Sequence, residues 1–276
     1  VQGIAESTLQ PAFAALSRAL GEPVPLYPVA MLAGAVGGIA AALQLAFVAP
    51  WSLVGLTTRD WAPARLATGA LLGTAAVLLT AGMLWAVGAL RFEGAATSDG
   101  LTPAGSWGMA ALRLFLVLAP AALWEELAFR GLLQGALDEA TNQRVVARAL
   151  SSIAFGLVHL DNPGAGVRTT GIVMLAGWCL ALVREQRGLP AAFSAHLAWN
   201  WIMAAVLHVP VSGLPFSTPG YRALPSGPAW LSGGAWGPEG SLIAALVLAG
   251  AAWYWRRPVT RAERIGAPST SPLTSS

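Results

Sequence analysis

The sequence predicts an all-α fold: a polytopic transmembrane helical bundle of about seven spans, with a cavity between helices. Three observations predict it. The 276 residues are 55% hydrophobic and only 11% charged, against about 25% charged in soluble domains. Mean hydropathy is +0.61, and the apolar residues fall into runs near the length of about 20 that a bilayer requires. The basic residues, all 16 of them arginine, are spread along the chain between those runs. A net charge of +3 distributed this way does not point to nucleic-acid binding.

Taken in order, the expected spans are Val29–Ala49, Leu66–Leu90, Trp107–Leu133, Val145–Leu160, Val167–Val183, Pro190–Val209 and Ser241–Trp255. The fourth and seventh are short for a bilayer and would extend into flanking polar residues. The transmembrane unit is read as 29–256. It follows an N-terminal segment, 1–28, in which Leu9–Leu20 is a candidate interfacial helix. That segment has no basic n-region leading into an apolar h-region, so no cleavable signal peptide is expected. Residues 257–276 are rich in Ser, Thr and Pro and are expected to be a disordered cytoplasmic tail. Trp51, Trp61, Trp107, Trp230, Trp236, Trp253 and Trp255 lie near span ends, where aromatic belts form.

Arginine placement sets the expected orientation. With the first span entering from outside, ten arginines fall on the cytoplasmic side: Arg59, Arg65, Arg144, Arg148, Arg184, Arg187, Arg256, Arg257, Arg261 and Arg264. Four fall outside: Arg18, Arg91, Arg168 and Arg222. The C-terminus is therefore expected in the cytoplasm. An eighth span near the N-terminus would reverse only that end. Abundant Ala, Gly, Pro and Arg without Lys suggests a GC-rich bacterial genome, hence the bacterial inner membrane. A single cysteine, Cys179, excludes an intrachain disulfide and a cysteine-based zinc site; its apolar setting makes it a small core residue.

The third span is unlike the others. It carries Glu125 and Glu126 in the run Leu123-Trp124-Glu125-Glu126-Leu127-Ala128-Phe129-Arg130-Gly131. An ionised side chain at bilayer depth costs about 2.5–3.5 kcal/mol on insertion scales, so such groups take partners or tasks. Glu126 and Arg130 are i,i+4 and can pair along one face. Glu125 is rotated by about 100° and points elsewhere. Pairing of the two glutamates with arginines would alternatively serve helix packing alone. In the fourth span Phe155 and His159 are i,i+4, with the helix exit following at Leu160-Asp161-Asn162-Pro163. In the sixth, His196 and Asn200 are i,i+4 and project toward one point. An imidazole beside a carboxamide can donate to a developing oxyanion; interhelical hydrogen bonding is the simpler use. His208 has no such neighbour and is read as structural.

In this order the three motifs resemble those of the CAAX-protease and bacteriocin-processing (CPBP) family of intramembrane endopeptidases. The family pattern is Glu-Glu-x-x-x-Arg, then Phe-x-x-x-His, then His-x-x-x-Asn or Asp. Here it reads Glu125-Glu126-Leu127-Ala128-Phe129-Arg130, Phe155-Gly156-Leu157-Val158-His159 and His196-Leu197-Ala198-Trp199-Asn200. The resemblance covers about residues 107–208.

It implies a membrane helical bundle that hydrolyses peptide bonds. In the glutamate-type mechanism, Glu125 is general base on a water that His159 helps to hold. His196 and Asn200 would form the oxyanion site, with Glu126 and Arg130 as the supporting pair. No cofactor is favoured. A metal-dependent version would instead use Glu125, His159 and His196 as zinc ligands. The metal-free version is preferred because Asn200 is a poor zinc ligand and a good oxyanion donor. A scaffold or immunity protein of the same fold, or a proton-relay transporter, would use the same residue types.

The family name points to prenylated C-terminal CAAX sequences. A bacterium normally lacks protein prenylation, so the expected substrate is a membrane-associated protein or peptide, such as a leader peptide or a C-terminal sorting tail. The myxosortases, one branch of the family, process such tails, and no residue here separates that branch from the rest.

Overall fold

Long apolar helices make up most of the molecule, and the site depends on two of their crossings. The computed structural model describes residues 55–56, 60–94, 104–216, 218 and 220–256. The expected interfacial helix Leu9–Leu20, the first span Val29–Ala49, Trp51 and the tail 257–276 lie outside the described residues.

Helix α1 spans Pro63–Ala86, with proline in its first turn, where a missing N–H costs nothing. Helix α2 spans Ala104–Glu126 and contains Pro120. It runs directly into a π-helical segment, Leu127–Leu133, and on into α3, Gln134–Thr141. Asn142 ends α3 in the left-handed conformation, a familiar helix stop. Helix α4 is Arg144–Leu157, α5 is Val167–Arg187, and α6 is Leu189–Trp201. A second π segment, Ile202–Val206, continues α6. The short helix α7, Ala229–Ser232, and two 3₁₀ turns, Gly234–Trp236 and Pro238–Gly240, precede α8, Leu242–Trp255. Ser241 caps α8, its hydroxyl accepting the Ala244 N–H at 3.0 Å.

Among the described residues three helices are long and apolar enough to cross a membrane: Pro63–Ala86, Trp107–Thr141 and Val167–Arg187. Leu242–Trp255 is a shorter apolar helix. Helices α4 and α6, the expected fourth and sixth spans, have 14 and 13 residues and are shorter than a bilayer demands by themselves.

The sequence pattern predicts no strand, yet Leu90–Gly94 (β1) pairs antiparallel with Tyr221–Pro225 (β2), Phe92 standing opposite Ala223. Neither segment has a strong apolar alternation. Pairing gives backbone partners to two connections that meet on the same face of the bundle. The turn after α4 also reaches that face. There, Asn162 donates to the Ser212 carbonyl at 3.0 Å and Arg168 donates to the Ala229 carbonyl at 2.7 Å. Elsewhere Glu185 of α5 receives Arg148 of α4 through both carboxylate oxygens, at 3.0 and 2.7 Å, and Gln134 of α3 at 3.0 Å.

Helix α1 lies against α6 at the closest range that backbones allow. A Cβ added at Gly69 would fall 2.0 Å from the Ala191 carbonyl oxygen, and one at Gly73 would fall 2.1 Å from that of Ala195. Two glycines four residues apart form the small-residue stripe that lets membrane helices approach. Ala195 immediately precedes His196, so this contact sets the depth of that histidine. Trp236 departs from the aromatic-belt expectation: it is buried. The loop that carries it folds inward through its 3₁₀ turns.

Candidate active site

Glu126 is the last residue of α2, and Arg130 sits in the π segment that follows. Such π insertions are frequent at functional sites. Both side chains are wholly buried, and Arg130 Nη1 donates to Glu126 Oε1 at 2.9 Å. The guanidinium lies over the Phe155 ring, 4.0 Å from its centroid, an arrangement that favours a desolvated cation. Gly177 of α5 leaves room for this layer, since a Cβ there would meet Phe155 and Arg130 at 3.2 and 3.3 Å. The i,i+4 pairing of Glu126 with Arg130 expected from the spacing is thus formed.

Glu126 has a second partner that spacing alone did not reveal. His196 Nδ1 is 2.9 Å from the same Oε1 atom. His196 Nε2 lies 3.8 Å from Glu125 Oε2. The imidazole of α6 is therefore flanked by both carboxylates of α2. Helix α6 begins at Leu189 and packs tightly on α1, which brings His196 against the end of α2.

His159 lies in the turn just past α4, and its Nδ1 is 2.7 Å from the Phe155 carbonyl oxygen. With Nδ1–H donating there, Nε2 is left for other contacts. Phe155 stands between the two histidines, its centroid 4.8 Å from that of His159 and 5.9 Å from that of His196.

A cavity of about 140 Å³ opens beside these rings. Its polar lining includes His159, His196, Asn200, Ser212 and Glu239, and Leu72, Val173 and Leu248 are among the apolar residues that complete the wall. The expectation placed Glu125, His159, His196 and Asn200 around one space. Three of them line it. Glu125 is not among the lining residues and meets the wall at His196. No group of three His, Cys, Asp or Glu side chains among the described residues is arranged to hold a metal ion.

Sequence reasoning missed Glu239. It lies in the last 3₁₀ turn before α8 and accepts the Trp199 indole N–H at 3.0 Å and the Ser212 backbone N–H on its other oxygen. Burial pushes its carboxyl above the usual range, while these hydrogen bonds and the nearby His159 pull it back down. The one available signal was an acidic residue inside an otherwise Gly-, Pro- and Trp-rich loop. His208 is structural in its contacts, with Nε2 3.0 Å from the Ala205 carbonyl oxygen and its ring stacked on Tyr221 at 4.1 Å.

These distances join the three motifs of α2, α4 and α6 into one centre. Residues 106–202 match the family model Rce1-like, described as Type II CAAX prenyl endopeptidase Rce1-like. That segment resembles an Rce1-like domain. The likeness is consistent with the CPBP resemblance of the three motifs, and the matched segment holds every motif residue from Glu125 to Asn200. The match spans about a third of the chain and stops well before Glu239. No curated protein and no solved structure matches this chain.

Proposed function

We propose that the protein is an intramembrane endopeptidase of the CAAX type, acting on a membrane-associated protein or peptide in the bacterial inner membrane. The observation that carries this reading is the contact of His196 with both carboxylates of α2 at the wall of a cavity that His159 and Asn200 also line.

In this reading Glu125 takes a proton from water, and the hydroxide attacks the scissile carbonyl carbon. His159, its Nδ1 committed to Phe155, offers Nε2 to orient that water. The tetrahedral oxyanion receives hydrogen bonds from Asn200 and from His196. For His196 to donate through Nε2 while Nδ1–H donates to Glu126, the ring carries both protons. The intermediate collapses as the C–N bond breaks, and Glu125 returns its proton to the leaving amine. Arg130 offsets the charge of Glu126 and leaves Glu125 as the base. The expected substrates are leader peptides and C-terminal sorting tails.

The test is cleavage of a membrane-tethered reporter library by the purified protein, with Glu125→Gln alongside and a chelator arm. We expect the substitution to lower cleavage by about 10²–10⁴-fold, the usual worth of a general base, in protein that still inserts and accumulates. Normal cleavage by that variant removes Glu125 as base. Loss of cleavage in the chelator arm as well would favour zinc chemistry, and wild-type protein inert on every reporter would favour a scaffold.

A further inference from the structure

Glu239 connects elements that the three motifs do not. On one side its carboxylate holds the Trp199 indole at 3.0 Å, directly before Asn200 in α6. On the other it accepts the backbone N–H of Ser212. Ser212 has φ +49° and Gly213 φ +78°, a left-handed pair that makes a tight turn. The outward carbonyl of that turn accepts from Asn162 at 3.0 Å. Asn162 belongs to the turn that carries His159, its backbone N–H donating to the His159 carbonyl at 3.1 Å. The packing there is close: a Cβ at Gly213 would fall 2.0 Å from the Pro163 carbonyl oxygen. Gly213 N–H also donates to the Trp236 carbonyl at 3.0 Å, which fixes the turn to the segment leading to Glu239. A chain of short contacts thus runs from His159 through Asn162, Ser212 and Glu239 to Trp199 and Asn200.

We propose that Glu239 is a positioning residue of the reaction centre, joining the turn that carries His159 to the helix that carries His196 and Asn200 and so setting the span between them. The proposal rests on the protease reading for its catalytic consequence but not for its structural one. A loop carboxylate can do this because its two oxygens accept from separate donors in a fixed fork. Misplacing a catalytic group by about 1 Å can cost on the order of 10²-fold in rate. The neighbouring cation Arg168 is directed to the backbone carbonyls of Ala229 and Gly240, which fastens the same loop from α5.

The experiment uses the full chain in lipid nanodiscs and compares wild type with Glu239→Ala, Glu239→Gln and Trp199→Phe. Steady-state cleavage of a tethered reporter gives kcat and KM, and hydrogen exchange with mass spectrometry reads the backbone without substrate. We expect Glu239→Ala to lower kcat by about 10–100-fold, with KM within about twofold. Glu239→Gln keeps one acceptor oxygen and should recover part of the loss; Trp199→Phe should lose part. In Glu239→Ala, exchange should quicken both at 210–214 and at 159–166, with 125–130 unchanged. The idea is overturned if kcat is unchanged in folded Glu239→Ala, or if exchange quickens at 210–214 alone. If Glu239→Ala does not fold, the other two variants decide by the same readouts. If wild type cleaves no reporter, the protease reading fails while the exchange arm still decides the coupling.

Discussion

The two ends of the candidate site hold a carboxylate in opposite ways. At one end Glu126 is wholly buried and paired with a wholly buried arginine on its own helix. At the other, Glu239 sits on a loop and is held by an indole and a backbone N–H, both neutral donors from other parts of the chain. Arginine compensation lets a charge persist where water is excluded. Neutral donors offset burial only in part, so the Glu239 carboxyl is pushed upward. The first arrangement keeps a fixed charge beside His196. The second trades charge for geometry and ties distant turns together.

That contrast can be broken most forcefully at the first end. Arg130→Ala leaves Glu126 buried without its cation, which should cost about 3–5 kcal/mol and lower accumulation as well as cleavage. Adding Glu126→Gln in the same chain should return much of the stability, because the uncompensated charge is gone. Abundant, folded Arg130→Ala would show that the pair does not support the fold. Protein level after membrane extraction and thermal unfolding in detergent read both outcomes.

A smaller effect is expected on the loop side. His208→Ala removes the contact to the Ala205 carbonyl and the stack on Tyr221, at a cost of about 1–2 kcal/mol. Cleavage per folded molecule should stay at the wild-type value. A dead but folded variant would place His208 in the chemistry after all.

The smallest effect concerns pH. The folded carboxyl of Glu239 is raised above its unfolded value. Its contribution is then most favourable at pH below the unfolded value and is lost as pH rises through the folded one. Wild-type stability relative to Glu239→Gln should therefore decline as pH rises through that interval. A difference independent of pH, measured by thermal unfolding across a buffer series, would mean that burial does not disfavour the ionised form.

Much of the first end is legible in the sequence alone. Glutamate and arginine four residues apart in an apolar run can pair only along one helix face, and they do. The i,i+4 pattern likewise puts His196 and Asn200 on one side of α6, and both line the cavity. The meeting of His196 with Glu126 is not legible there, because it depends on how deeply α6 sits against α1. That depth follows from Gly69 and Gly73, whose missing side chains permit near-contact of backbones. The placement of Trp236 fails for a related reason: proximity to a span end cannot distinguish a belt residue from one folded inward by a loop.

Glu239 lies outside sequence reasoning altogether. Its partners Trp199 and Ser212 are 40 and 27 residues away, and no periodicity relates a loop carboxylate to a helix it closes upon. The sequence by itself determined the solvent this chain folds in, the residue types of its centre and the pairs set by one turn of helix. Those are local consequences of composition and of 3.6 residues per turn. Which carboxylate meets which imidazole, and how the Ser212 turn is tied to α6 and to the turn of His159, only the tertiary structure decided. Such contacts join residues far apart in the chain, and their distances are set by helix-crossing depth and loop closure rather than by spacing.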